Sequence, residues 1–267
     1  MGAAAPPALV SRSHRGEEAL NAAEQLERCA ARAEALAPSS ESAREVLLFA
    51  AGLYREQARL AAALRGLSAN LKEDLAKLPL APLVDWLAAH GPAQLAFDAR
   101  AEEDLPARLL AFWARGDRED YLSRALLRPY LQSLATTGVR PDRPRAERAC
   151  PFCGGAPWVA SRRSQSDSDG AARHLHCALC GTSWQVLRII CPSCGESDPA
   201  KLPTYNTAAH IGVRIEACET CRKYLKSIDL TLDARPIPEV DELLSLGMDL
   251  WAVEQGLERF EPGLAGL

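Results

Sequence analysis

Apolar residues recur at three- and four-residue steps along the first half of the chain. Between residues 17 and 37, for example, Leu26, Cys29 and Ala33 fall on one face of a helix. The other helices predicted from this spacing cover residues 42–65, 80–90 and 102–115, and a last one starts near residue 117. The pattern predicts a packed helical domain over residues 16–137, preceded by a flexible N-terminus at residues 1–15.

Single residues refine this prediction. Ser42 and Glu45 have the spacing of a capping box, which favours a helix start at that point. Pro129 should kink or split the last helix, because proline has no amide hydrogen and crowds the preceding turn. Cys29 is expected to be a small buried hydrophobic residue, not a metal ligand.

The second half of the chain has a different pattern. Residues 138–149 carry prolines and charges and are typical of a linker. After them, apolar and polar residues alternate in short stretches, as at Val213, Ile215 and Ala217, which is typical of strands with one wet face. The predicted strands cover residues 158–161, 173–176, 183–190, 212–217 and 223–232. Residues 236–260 have the spacing of a final helix, within a C-terminal helix and tail over 236–267.

Eight of the nine cysteines form four Cys-x-x-Cys pairs. The pairs are Cys150/Cys153, Cys177/Cys180, Cys191/Cys194 and Cys218/Cys221. Each cysteine of the first two pairs recurs 41 positions later, which indicates two copies of one small module. Four thiolates make the tetrahedral sulfur site that zinc and iron prefer. The fold expected is therefore an α+β multidomain protein, with a helical domain, two tandem rubredoxin-like or zinc-ribbon modules at 150–190 and 191–235, and a C-terminal helix.

The turns that carry the cysteines predict a difference between the modules. Glycine follows the second cysteine of three pairs and permits a left-handed turn that aims backbone amides at the sulfurs. At the fourth pair Arg222 takes the place of glycine. A non-glycine left-handed residue and a positive charge are therefore expected at Arg222, and the second site is expected to be the looser or more reactive one. His174 and His176 could substitute for a cysteine, but a role beside the site or in partner contact fits better.

Composition, charge and the absence of certain motifs disfavour several classes of function. The chain has 267 residues and a formal net charge of -4, so it has no strong general attraction to nucleic acid or to acidic membranes. No run of about 18 apolar residues exists, so no membrane insertion is expected. Nine cysteines without an export signal favour a reducing compartment, hence the cytoplasm. No phosphate-binding loop, nucleophile elbow or His-x-x-x-His pair appears in the helical half, so no catalytic apparatus is expected there.

Several motifs around the cysteines resemble one known family. The segments CPFCGGAP, RHLHCALCGTSW, VLRIICPSCGE and EACETCRKYLKSIDL occur in this order between residues 150 and 230. The acidic C-terminal stretch that begins at Asp241 follows them. Together they are similar to the formate dehydrogenase accessory protein family, FdhE. The resemblance covers roughly residues 150–256, and it also carries over His176, Tyr224, Leu225 and Lys226 as flanking residues without an assigned role.

The resemblance implies a cytoplasmic factor that binds the catalytic subunit of formate dehydrogenase during maturation or activation and has no turnover reaction of its own, so it is not expected to be an enzyme. It also implies that the eight paired cysteines are metal ligands and that the two ions are rubredoxin-like iron, with zinc as the other possibility. Two alternatives remain open at this stage. One is a zinc-ribbon adaptor for another partner, and the other is a nucleic-acid-binding protein, which the absence of an aromatic and basic stripe disfavours.

Overall fold

The computed structural model describes residues 20–143, 145–164 and 170–266. The flexible N-terminus predicted at residues 1–15 lies outside them. The helices of the first part are α1 (Ala22–Leu36), α2 (Arg44–Ala63), α3 (Leu71–Asp74), α4 (Ala81–His90), α5 (Ala93–Ala101), α6 (Leu105–Arg115) and α7 (Tyr121–Thr137). The strands and helices of the second part are β1 (Pro157–Ser164), β2 (Ala171–Cys177), β3 (Ser183–Val186), β4 (Thr204–Asn206), β5 (Val213–Ala217), β6 (Lys223–Asp229), α8 (Pro238–Asp241), α9 (Leu246–Glu254) and β7 (Glu258–Arg259).

The predicted architecture is confirmed: a helical N-terminal part precedes a sheet that carries two four-cysteine groups. Among the described residues, no helix is both long enough and apolar enough to cross a membrane.

The first two helices pack along their predicted apolar faces. Leu26 and Ala33 of α1 are fully buried together with Leu47 and Tyr54 of α2. Burying a leucine side chain contributes about 1.5–3 kcal/mol. Cys29 belongs to the same buried cluster, as predicted.

The capping box predicted at Ser42 is wrong. Helix α2 begins at Arg44, and its N-cap residue, Ala43, makes no side-chain capping bond. Ser40 supplies its hydroxyl oxygen instead, which accepts a hydrogen bond from the amide of Ala43 at 3.2 Å. The capping box in this part of the chain lies at α1, between Asn21 and Glu24.

Helix α7 continues through Pro129 as one helix, so the chain is not split there. Pro129 has no amide hydrogen, and the carbonyl of Ala125, four residues earlier, therefore has no partner within the helix. The side-chain amide of Gln57, from α2, donates to that carbonyl at 2.7 Å. A buried polar contact between two helices thus replaces the missing bond of the helix.

The strands of the described residues all belong to one sheet, which spans both predicted modules. The order is β3-β2-β1-β6-β5-β4, and β7 pairs with β6. Strands β1 to β3 form one antiparallel unit and β4 to β6 the other. The units join through a parallel pairing of β1 with β6, in which Val159 lies opposite Lys226. This pairing fixes the relative position of the two modules.

The C-terminal segment differs from the single helix predicted over 236–260. Helix α8 passes into a 3₁₀ turn at Glu242–Ser245, α9 ends at Glu254, and β7 then joins the sheet. Gly256, at φ +69°, takes the left-handed conformation that turns the chain back towards β6.

A buried ionic cluster fastens this segment to the sheet. Lys226 of β6 is fully buried and contacts Glu242, at 2.5 Å, and Asp249. Arg259 of β7 contacts the same two carboxylates, and the Tyr224 hydroxyl donates to Asp249 at 2.9 Å. The two motif residues Tyr224 and Lys226 therefore have a structural role: they bind the C-terminal helix to the sheet.

Candidate metal centres

The first cysteine group consists of Cys150, Cys153, Cys177 and Cys180. The first two lie in the turn before β1, and the other two lie where β2 ends. The Sγ atoms of Cys150 and Cys180 are 3.7 Å apart, and those of Cys153 and Cys177 are 3.5 Å apart. Four sulfurs at about 2.3 Å from one tetrahedral ion are about 3.8 Å from one another. The group could therefore hold one metal ion.

Backbone amides point at these sulfurs, as the glycine pattern predicted. The amide of Gly155 donates to Cys153 Sγ at 3.3 Å, and that of Leu179 donates to Cys177 Sγ at 3.4 Å. Gly154, at φ +72°, and Gly181, at φ +69°, adopt the left-handed turns. A Cβ atom at Gly155 would lie 2.8 Å from Cys177 Sγ, so only glycine fits at that position. Such hydrogen bonds stabilise thiolates and tune a bound metal.

The first group lies inside the core of the helical part. None of its cysteines is more than 1% exposed, and all four belong to the apolar cluster that contains Leu109, Leu131 and Leu179. Burial is the largest cause that raises the pKa of Cys177 and Cys180, whereas hydrogen bonds with neighbouring thiols lower the pKa of Cys150. Four thiolates cannot stay charged together in such surroundings without a cation. The donor set therefore fits a closed structural site.

Two arginines of the predicted linker hold this group in place. Arg143 is buried, and its guanidinium donates to the carbonyls of Cys153, at 2.9 Å, and Trp113, at 3.2 Å. Arg145 donates to the carbonyl of Phe152 at 2.9 Å. The sequence pattern does not predict this role. Its one signal is that arginines stand close before the first cysteine turn.

The second cysteine group consists of Cys191, Cys194, Cys218 and Cys221. The Sγ distances are 3.6 Å both for Cys191 to Cys221 and for Cys194 to Cys218, so this group could also hold one ion. Its burial differs from that of the first group: Cys191 and Cys218 are buried, Cys221 is half-buried and Cys194 is exposed. The second group therefore reaches the surface through Cys194.

Arg222 adopts φ +59°, so the left-handed non-glycine residue predicted at this turn is confirmed. Such a conformation costs a side-chain-bearing residue about 1–2 kcal/mol. The side chain of Arg222 donates to the carbonyl of Gln255, and the backbone carbonyl of Arg222 accepts from the amide of Glu258 at 2.8 Å. The side chain of Arg222 thus links the second group to the C-terminal segment. A glycine at this position would have no side chain with which to make that link.

Neither histidine substitutes for a cysteine in the described residues. His176 is buried, and its Nε2 lies 2.8 Å from the hydroxyl of Ser161. Burial lowers the pKa of His176 to about 4, so the ring is neutral near pH 7. His174 is half-buried on the same strand. Both residues lie beside the first group and outside the two sets of four sulfurs.

Two family models match consecutive parts of the chain. The model described as "FdhE, central domain" matches residues 149–188, and the one described as "FdhE, C-terminal domain" matches residues 189–264. The first match contains the first cysteine group, and the second match contains the second group.

Several proteins are similar to this chain. A protein FdhE homolog of Aquifex aeolicus is 29% identical over 194 residues, which cover 69% of this chain and 68% of that protein. A protein FdhE homolog of Pseudomonas aeruginosa is 34% identical, over 43% of this chain and 38% of that protein. One of Haemophilus influenzae is 36% identical, over 41% of this chain and 35% of that protein. These last two alignments thus span little more than a third of the relatives' length.

The fold also has a counterpart among solved structures. The crystal structure of the FdhE protein from Pseudomonas aeruginosa matches with a TM-score of 0.67 and 24% identity. The match covers 90% of this chain and 94% of that chain, so it extends over the helical part as well as the sheet.

Proposed function

We propose that this chain, a member of the FdhE family, is a cytoplasmic accessory factor for the maturation or activation of formate dehydrogenase. In this role it binds the catalytic subunit of the dehydrogenase and has no turnover reaction of its own. The observation that carries the proposal is that both family matches coincide with a complete four-cysteine group.

We further propose that the eight cysteines Cys150, Cys153, Cys177, Cys180, Cys191, Cys194, Cys218 and Cys221 are metal ligands, one ion to each group. Rubredoxin-like iron is the proposed metal, and zinc is the alternative that the same sulfurs would accept. Iron held by four thiolates supplies one-electron chemistry, whereas zinc supplies none.

The two groups then serve different purposes. The first group is enclosed by the helical core and is held by Arg143, so an ion there joins the sheet to the helices. The second group reaches the surface at Cys194 and is fastened to the C-terminal segment by Arg222. We therefore assign the contact with the dehydrogenase subunit to the surface around the second group.

The test is to isolate the tagged protein without oxygen from its own host and to identify the proteins that accompany it. We expect the catalytic subunit of formate dehydrogenase with the wild type, and its loss when Cys218 and Cys221 are both changed to Ser. Cys29→Ser is the matched control, because Cys29 lies outside both groups and a hydroxyl can keep its 3.0 Å contact with Glu239. Capture that is equally strong with the double variant would contradict the role of the second group.

An optical spectrum of the same sample decides the metal. Charge transfer from thiolate to iron colours the protein, whereas zinc leaves it colourless. A colourless sample with two equivalents of zinc would support the adaptor alternative and would remove any role for electron transfer. A salt-sensitive complex with DNA or RNA in place of the dehydrogenase subunit would support the nucleic-acid alternative.

A further inference from the structure

A cavity of about 300 Å³ lies where the helical part meets the sheet. Its walls come from α2, α5, α7 and β1, and residues 264–266 close one side. Exposed Pro92, Gln94 and Glu119 stand at its mouth, and the interior is mostly apolar, with Leu53 and Ala125 among its walls. A concave, largely apolar space of this size between two parts of a fold is typical of a small-molecule site.

Several buried donors in these walls have no partner. They are the hydroxyl of Tyr54, Nη2 of Arg124, Nε of Arg128 and Nε1 of Trp158, none of which has a hydrogen-bond partner among the described residues. The four residues are at most 6% exposed. Unpaired buried donors are rare in folded proteins, because they lose water without gaining another acceptor.

Three of these donors lie in one patch. The guanidinium of Arg128 lies over the ring of Tyr54, at 5.1 Å, and over that of Trp158, at 5.2 Å. In the same walls, Gln57 Oε1 is an unpaired acceptor. Because unpaired donors outnumber unpaired acceptors here, the walls favour a ligand that accepts hydrogen bonds.

The charged residues in the cavity walls disfavour an anionic ligand. Arg124 is already paired with Glu261 at 2.8 Å, and Arg128 is paired with Glu239. The remaining charged residues of the lining, Asp98 and Glu119, are both acidic. An anionic ligand would add an uncompensated negative charge to a site whose two cations are both neutralised.

We propose that this cavity binds an uncharged, mostly apolar small molecule with a flat ring and a carbonyl oxygen or ring nitrogen that accepts a hydrogen bond. The flat ring fits the aromatic walls, which include Phe49, Tyr54, Tyr121 and Trp158. The acceptor atom of the ligand accepts hydrogen bonds from one or more of the unpaired donors after a small rotation of their side chains. None of the eight paired cysteines lines the cavity, although Ala178 between Cys177 and Cys180 does, so the test of ligand binding does not depend on the proposed function.

Three probes of similar size test the proposal on the full-length, metal-loaded protein. Acetophenone has a ring and a carbonyl, ethylbenzene lacks the acceptor, and benzoate carries a charge. Titrations followed by protein-detected NMR should show saturable binding of acetophenone, about fivefold to tenfold tighter than that of ethylbenzene, since one hydrogen bond typically contributes that much. Benzoate should also bind more weakly than acetophenone, because the site has no unpaired cation for its charge. Absence of saturable binding at concentrations of several millimolar, or equal binding of benzoate, would overturn the proposal.

Three variants place the binding in this cavity. Leu95→Trp fills the space beside the mouth and should weaken acetophenone binding at least about tenfold. Leu250→Trp is the matched control, because Leu250 is 53% exposed on α9 and lies outside the cavity lining. Trp158→Phe keeps a ring but removes one unpaired donor, so it should reduce the preference for acetophenone over ethylbenzene. Binding that survives Leu95→Trp unchanged, or that is lost equally in Leu250→Trp, would refute the assignment.

Discussion

When both cysteine groups are loaded with zinc, the second should release its ion to a chelator much sooner than the first. An ion in the second group could be reached through exposed Cys194, whereas the cysteines of the first group are at most 1% exposed. Leu179 belongs to the same buried cluster as these cysteines, so we expect release from the first group to expose Leu179 and at least one other large apolar side chain of that cluster. Each such exposure costs about 1.5–3 kcal/mol.

Two exposures therefore add at least about 3 kcal/mol to the opening of the first group, which corresponds to a release roughly 100-fold slower. The assay loads the protein with zinc and follows transfer to the dye 4-(2-pyridylazo)resorcinol. We expect one equivalent in a fast phase and one in a slow phase. The variant in which both Cys194 and Cys218 are changed to Ser should keep only the slow phase. Release of both equivalents at one rate, or a fast phase that persists in this variant, would refute the reasoning.

Three further predictions concern stability. Gln57→Leu should lower the free energy of unfolding by about 1–3 kcal/mol, because it leaves the buried carbonyl of Ala125 without a donor. In a Pro129→Ala background, the restored amide of the helix should remove most of this cost. Equal costs in both backgrounds would contradict the explanation. Lys226→Met should cost about 3–5 kcal/mol in urea unfolding, because two buried carboxylates lose a cation, and a cost below about 1 kcal/mol would show that the cluster adds little. Burial alone would raise the pKa of Glu239, but the Arg128 guanidinium outweighs it and holds that pKa below the usual 4.5. Glu239 therefore contributes stability above pH 4.5, and this contribution is lost as the pH falls through the lower pKa of Glu239 in the folded state. Glu239→Gln should flatten this part of the profile of unfolding free energy against pH. An unchanged slope would contradict this explanation.

The sequence was sufficient to predict the grouping of the cysteines, because short turns and a repeated spacing determine it locally. The same local reasoning predicted the left-handed backbone of Arg222, since that residue occupies the position at which the other turns have glycine. The fold class was also predictable from the change of hydrophobic period near residue 140.

Contacts between distant residues could not be predicted in this way. The parallel pairing of β1 with β6 joins strands more than 60 residues apart, and no local pattern specifies it. The burial of the first cysteine group depends on helices that precede it in the chain, such as α7. The helix start at Arg44 is not decided by the sequence alone: Ser40 and Ser42 are both capable caps, and in the structure the hydroxyl of Ser40 accepts from the amide of Ala43.

The charged residues of the C-terminal segment show the same limit. The sequence places Glu242 and Asp249 only within an acidic C-terminal stretch, whereas the structure buries both against Lys226 and Arg259. The periodicity of the segment predicted its helical part, whereas the end at Glu254 and the return to the sheet follow from Gly256 and from this cluster.

The most direct test of the central claim is formate dehydrogenase activity in the protein's own host after removal of this chain. The account predicts that activity is lost, that the wild type and Cys29→Ser restore it, and that the variant with both Cys218 and Cys221 changed to Ser does not, although it accumulates to the same level. Full dehydrogenase activity in the absence of the chain would contradict the proposal that this protein is an accessory factor for that enzyme.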